Sequence, residues 1–202
     1  MLGSPEVPFT RAESVTLLPT CTYDVFYHLD NLHCKRLFIE TMEKETLGVA
    51  LDAPMLKFSK IRINLTKCDM IGGFEGLFRI IANENLELLE LRMAETEVQI
   101  KELLFLLDRL LTESPNLHTL LLGLERKIVT EEEHIQLNER ISRLPLKRLT
   151  MLFNESYVQY DTSARWPLPK TCEALHLDLS SNLLRNVVGN LSLALASSEN
   201  LK

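Results

Sequence analysis

The sequence predicts an α/β solenoid, with short parallel strands lining one side of a stacked coil and helices lining the other. Three observations predict it. One spaced phrase of apolar residues returns about every 28 residues, and internal periods of that length mark stacked supersecondary units. Within the phrase the apolar places alternate, as in a strand with one buried face. Between phrases, apolar residues fall at helical spacing and prolines close the runs.

The phrase is plainest in Asn116-Leu117-His118-Thr119-Leu120-Leu121-Leu122, with apolar residues at the first, fourth and sixth places after an Asn. It recurs at Leu86, Leu89 and Leu91, and at Leu146, Leu149 and Met151. At Ala174, Leu177 and Leu179 it runs on through Asn182 and Leu184. Upstream, Ile63, Leu65, Cys68 and Met70 fill the fourth, sixth, ninth and eleventh places of an earlier copy, and Cys34, Leu37 and Ile39 begin another. The first places then stand at 34, 60, 86, 117, 146, 174 and 201.

Taken in order, residues 1–20 hold three prolines and read as a loose leader. Val25, Phe26, Leu29 and Leu32 predict a capping helix over 22–33, since a stacked array needs its open end covered. Residues 41–56 hold a short helix at most before Pro54. The next strand is expected at 61–65, followed by a Gly72-Gly73 turn and a helix carrying Phe74, Leu77, Phe78 and Ile81. A strand at 88–91 precedes a helix over 98–112 with Leu103, Leu104, Leu107, Leu110 and Leu111 on its apolar face, ended by Pro115. After the strand at 120–122, Thr130 and Glu133 have capping-box spacing. That helix continues through Ile135, Leu137 and Ile141 to Pro145, and Glu131, Glu132 and Glu133 suit its positive end. Residues 154–170, with Tyr157, Tyr160 and Trp166, show no helical period and read as an irregular excursion that packs over the core edge or, as such loops often do, binds a partner. A last helix is expected over 184–197, and Asn200-Leu201 opens a seventh phrase, as in a chain cut within its array.

This phrase resembles the leucine-rich repeat family in its longer, helix-containing form, as in ribonuclease inhibitor, NOD-like receptors and F-box leucine-rich-repeat proteins. The resemblance covers residues 30 to 202. It implies a horseshoe with strands on the concave face and helices on the convex face, an N-terminal leader and cap over 1–33, and about six units over 34–202. The family's ninth-place Asn or Cys is met by Cys68, Asn154 and Asn182, whereas Ala94 and Glu125 depart from it. Such a fold says little about function, which lives in sites.

A net charge of −6 argues against a nucleic-acid partner, which needs a basic surface. No apolar run is long enough to span a bilayer, and the N-terminus lacks a signal peptide's basic flank and apolar stretch. Four scattered cysteines without a C-x-x-C pair favour a reducing, cytoplasmic setting, and the N-x-S/T triplets at Asn64, Asn154 and Asn190 do not outweigh this.

No Gly-rich phosphate loop, zinc motif or nucleophile elbow occurs, so no enzyme, metal, cofactor or small-molecule substrate is expected. The five histidines fall in different units and read as surface residues. Glu95, Glu97 and Glu102 read as a solvated helix start.

Side chains alternate across a strand, so the third, fifth and seventh places should face outward. The third-place row reads Arg36, Arg62, Leu88, Thr119, Arg148, His176. The fifth reads Phe38, Asn64, Glu90, Leu121, Thr150, Asp178, and the seventh includes Arg92 and Leu152. Exposed leucines among charges are what a protein-binding surface tends to present. The expected function is non-catalytic recognition of a protein partner through this face. The alternatives are the substrate-recognition part of a ubiquitin ligase, for which Leu18-Pro19, Val25-Phe26 and Leu29-Asp30 faintly resemble an F-box opening, and the sensing region of a NOD-like receptor.

Overall fold

The computed structural model describes residues 13–17, 34–40, 46–48, 55, 57–71, 74–154, 157–158, 167–180, 192, 195–196 and 200–201. In chain order these include β1 (Ser14–Leu17), β2 (Arg36–Glu40), β3 (Thr46–Gly48), β4 (Lys60–Asn64), β5 (Asp69–Ile71), α1 (Glu75–Ile81), β6 (Leu88–Arg92) and α2 (Ile100–Glu113). Then follow β7 (Thr119–Gly123), β8 (Ile128–Val129), α3 (Glu131–Arg143), β9 (Arg148–Leu152), β10 (Tyr157–Val158) and β11 (Ala174–Asp178).

Seven of the strands form one open sheet in the order β1-β2-β4-β6-β7-β9-β11, every pair parallel. Parallel neighbours cannot be joined by a tight hairpin, so the chain must travel back between them. α1, α2 and α3 do this ahead of β6, β7 and β9. The pairs β3–β5 and β8–β10 are small parallel ladders of their own.

Alternation decides what each strand buries. Leu37, Ile39, Ile61, Ile63, Leu89, Leu91, Leu120, Leu122, Leu149 and Met151 are all at most 2% exposed, and the residue between each pair along its strand is not buried. They share one core with Leu77, Phe78, Ile80 and Ile81 of α1, with Leu103, Leu106, Leu107 and Leu110 of α2, and with Leu137 and Ile141 of α3. The sheet is thus covered on one face by the described helices.

Two copies of the phrase sit in a different frame from the expected one. Lys60 pairs with Leu88 and Ala174 with Arg148, so the first places of these copies are Phe58 and Cys172, not residues 60 and 174. Both are buried, at 2% and 1% exposure. The cause is a further apolar residue at the eighth place, Leu65, Met93, Leu124 and Phe153, each fully buried. Ile61, Ile63 and Leu65 form a run of period two, and such a run looks the same after a slip of two residues. A slip of two leaves the buried face unchanged but slides the outward residues one row along. Cys68 accordingly stands at the eleventh place, and Thr66 at the ninth.

The leader reading is also corrected within 13–17, where β1 forms an edge of the sheet against β2. Residues 46–48, expected to be helical at most, form a strand. The expected helix over 22–33, the Gly72-Gly73 turn, and Tyr160 and Trp166 lie outside the described residues. Residues 157–158 of the irregular excursion form a strand against β8. Ser192, Leu195 and Ala196, within the expected last helix, are helical.

Helix ends follow local chemistry. In α3, Thr130 Oγ1 accepts from the Glu133 backbone N–H at 3.3 Å, and a Glu133 carboxylate oxygen accepts from the Thr130 N–H at 2.9 Å. Glu102, expected to be a solvated side chain, serves two helices. One of its oxygens accepts from the Gln99 N–H at 2.8 Å and the other from the Phe74 N–H at 3.0 Å, closing the starts of α2 and α1 together. The Asn that opens the phrase joins successive copies. Asn116 Nδ2 donates to the Glu84 carbonyl at 2.8 Å, and Asn200 Nδ2 to the Lys170 carbonyl at 2.7 Å. Each ties the start of one copy to the backbone of the copy before.

Beyond the strands the parallel pairing continues into tight turns, where Lys67, Glu95 and Arg126 take φ of 55°, 54° and 59°. Each stands at the tenth place. A left-handed residue that is not glycine is held there at a cost of roughly 1 kcal/mol. Stacking offsets it: the Lys67 N–H donates to the Ala94 carbonyl at 2.9 Å, and the Arg126 N–H to the Asn154 carbonyl at 3.2 Å. Their side chains alternate in sign, with Glu95 bonded to Arg126 and 3.9 Å from the Lys67 ammonium. Next along, Lys127 Nζ donates to the Thr96 carbonyl and, at 2.9 Å, to the Val98 carbonyl. Burial pushes its pKa down, opposed by Glu102 and Glu97.

Candidate functional site

Opposite the helices, the sheet presents three outward rows. The register aligns Arg36, Lys60, Leu88, Thr119, Arg148 and Ala174 in the first. The second holds Phe38, Arg62, Glu90, Leu121, Thr150 and His176, and the third Glu40, Asn64, Arg92, Gly123, Leu152 and Asp178. All fourteen expected partner-binding residues therefore lie on one face, and none is buried. Four move one row from their expected places: Arg62 and His176 into the second, Asn64 and Asp178 into the third.

The shift changes the chemistry. Arg62 now lies between Phe38 and Glu90, with its guanidinium carbon 5.5 Å from the Phe38 ring centroid and Nε 3.1 Å from a Glu90 oxygen. The planar cation stacks on the ring while its edge bonds the carboxylate. Arg36 Nη2 pairs with Glu13 at 2.9 Å. Both pairs are largely open to water, so they orient side chains more than they stabilise the fold.

Asn64 and Asp178 serve the backbone. Asn64 Oδ1 accepts from Thr66 Oγ1 at 2.7 Å, and Asp178 Oδ1 accepts from the Ser180 N–H at 3.0 Å, each closing the turn that ends its strand. The hydrogen bonds from Ser180 hold the Asp178 carboxyl below the usual range, with His176 nearby adding to the effect. Thr119 Oγ1 lies 3.0 Å from His118 Nδ1.

The centre of the face is a three-by-three patch. On β6 stand Leu88, Glu90 and Arg92; on β7, Thr119, Leu121 and Gly123; on β9, Arg148, Thr150 and Leu152. Leu88, Leu121 and Leu152 run corner to corner, each about 8 Å from the next by strand geometry. Arg92, Leu121 and Arg148 form the other diagonal. Gly123 makes room at one edge: a Cβ there would meet the Glu125 carboxylate at 2.8 Å and Arg92 Cγ at 3.3 Å. Glu125 was thus missed as a neighbour of the face, although a glycine in a strand signals such a close approach. Lys60 was missed through the frame alone.

Other chemistry is sparse. No group of three or more metal-binding side chains comes together among the described residues. His134, expected at the surface, is fully buried on α3, where its ring meets Phe153 edge-on at a centroid distance of 5.9 Å. Burial pushes its pKa down to about 4. Cys34, Cys68 and Cys172 are buried thiols, and burial raises the pKa of Cys172. No described helix is long and apolar enough to cross a membrane. No protein-family model, curated protein or solved structure matches this chain.

Proposed function

We propose that the chain is a leucine-rich-repeat solenoid of the helix-containing type, and that it recognises a protein partner through the outward face of its sheet, without catalysis. One observation carries the reading. Three parallel rows of mixed apolar and charged side chains stand opposite the described helices, with half-buried leucines at their centre. Apolar centres bordered by arginine and polar groups are where interface energy concentrates. Buried thiols at Cys34 and Cys172, in no disulfide among the described residues, suit a reducing compartment, and we place the protein in the cytoplasm.

A photo-crosslinking amino acid at Leu121, with one at exposed Lys101 on α2 as the control, tests this in cells. Crosslinks to a protein should form from Leu121 and not from Lys101. They should disappear when Arg62, Glu90 and Arg92 are all replaced by Ala, while the melting temperature stays nearly constant. Crosslinking from Lys101 alone, or unchanged crosslinking by the triple variant, would reject the strand face.

A further inference from the structure

We infer that the central patch takes an extended acidic segment in which one apolar residue lies between two carboxylates. This rests on the strand-face reading and specifies the chemistry of its partner. The arginines of the outward rows sort into two kinds. Arg36 and Arg62 are already paired, with Glu13 and Glu90. Arg92 and Arg148 are exposed and carry no ion pair among the described residues. They occupy opposite corners of the patch, with Leu121 midway between them.

Glu90, the acidic group beside Leu121, is held by Arg62 at 3.1 Å and does not cancel the two free corners. The rows therefore offer two guanidiniums without an ion pair among the described residues, on a chain whose net charge is −6, with the Glu125 carboxylate across Gly123 from Arg92. An acidic partner meets local attraction there, and the rest of the molecule repels it from other sites. Spacing selects its shape. The two arginine positions lie two strands and four residues apart, about 16 Å corner to corner. An extended peptide of acid-x-apolar-x-acid pattern spans about 13 Å, and the arginine side chains reach over the difference. Its middle side chain then rests on Leu121 and the leucine diagonal. Each guanidinium can bind a carboxylate through two parallel N–H donors.

The test is selection of a random peptide library on the immobilised full chain. Enriched peptides should carry two Asp or Glu residues flanking an apolar residue. Selection on the R92E/R148E double variant should enrich Lys or Arg at the same two places, and L121D should lower binding of the original peptides at least tenfold. All three substitutions lie on the outward face, and unchanged melting confirms that each variant is folded. Peptides lost with L121D but indifferent to the charge reversal would overturn the acidic partner and leave the strand-face reading standing. Peptides indifferent to L121D would overturn both. An absence of enriched peptides would overturn the acidic-segment proposal alone, because a folded partner could still use the face.

Discussion

Acidification below pH 6.5 should destabilise this protein, and His134 is the residue through which much of the loss should run. Its ring is fully buried among Phe153 and the apolar side of α3. The Asn138 amide nitrogen lies 3.0 Å from Nδ1, and an amide N–H can donate only to a ring nitrogen that keeps its lone pair. Burial moves the pKa from 6.5 to about 4. Between those values the unfolded chain binds a proton that the folded chain refuses. Stability is therefore full above pH 6.5, falls as pH drops through the window, and stops falling on this account below pH 4. The difference corresponds to about 3 kcal/mol at its limit. Urea unfolding followed by circular dichroism at pH 7.5 and pH 4.5 should recover most of it in the wild-type chain. His134→Gln, which cannot titrate, should lose much less over the same range, whatever its fixed cost. Asp178 contributes a slope of the same sign at lower pH, but equally in both proteins, so the difference between the two profiles isolates the histidine. Parallel profiles, or an NMR titration of folded His134 with a midpoint near 6.5, would refute the reasoning.

Phe153→Ala should cost about 3–5 kcal/mol, because a fully buried ring leaves a cavity at the junction of α3 and β9; a melting temperature within a few degrees of wild type would contradict this. Thr130→Ala should cost about 1 kcal/mol by removing a cap, and the loss should appear in chemical denaturation. Gly123→Ala should cost less than about 1 kcal/mol, since the atom in its way is the far end of the flexible Glu125 side chain. A much larger loss would show that the carboxylate is held where it stands.

The fourth and sixth places were legible because burial on one face forces an alternation that few other structures share. Helix ends at 115, 130 and 145 were legible because proline and the Thr130–Glu133 pair act locally. The frame at residues 58–65 and 172–179 was not, since only the partner strand distinguishes Ile61-Ile63 from Ile63-Leu65. β1 escaped notice because Val15 and Leu17 supply only two apolar side chains, too few to show a period. On α3 the inward stripe is His134, Leu137, Asn138 and Ile141, whereas Ile135 lies to one side. Two polar residues that satisfy each other look like surface until their i, i+4 spacing is set beside Leu137 and Ile141. Within the candidate site, strand parity placed all fourteen residues on one face, but which neighbours touch depended on the frame. The Arg62 bridge between Phe38 and Glu90 was therefore invisible beforehand.

The alternating charges at Lys67, Glu95 and Arg126 give the sheet a grammar of order. Excising residues 86–116 as one strand-and-helix cassette would preserve every hydrophobic position, yet set Lys67 against Arg126 at about the 4.8 Å spacing of adjacent strands. Two cations facing at that distance repel by on the order of 1 kcal/mol even in water. Reversing the charge at Lys67 or Arg126 would avoid the clash. Interior cassettes of this chain are therefore not interchangeable, although their strands bury apolar residues at matching places.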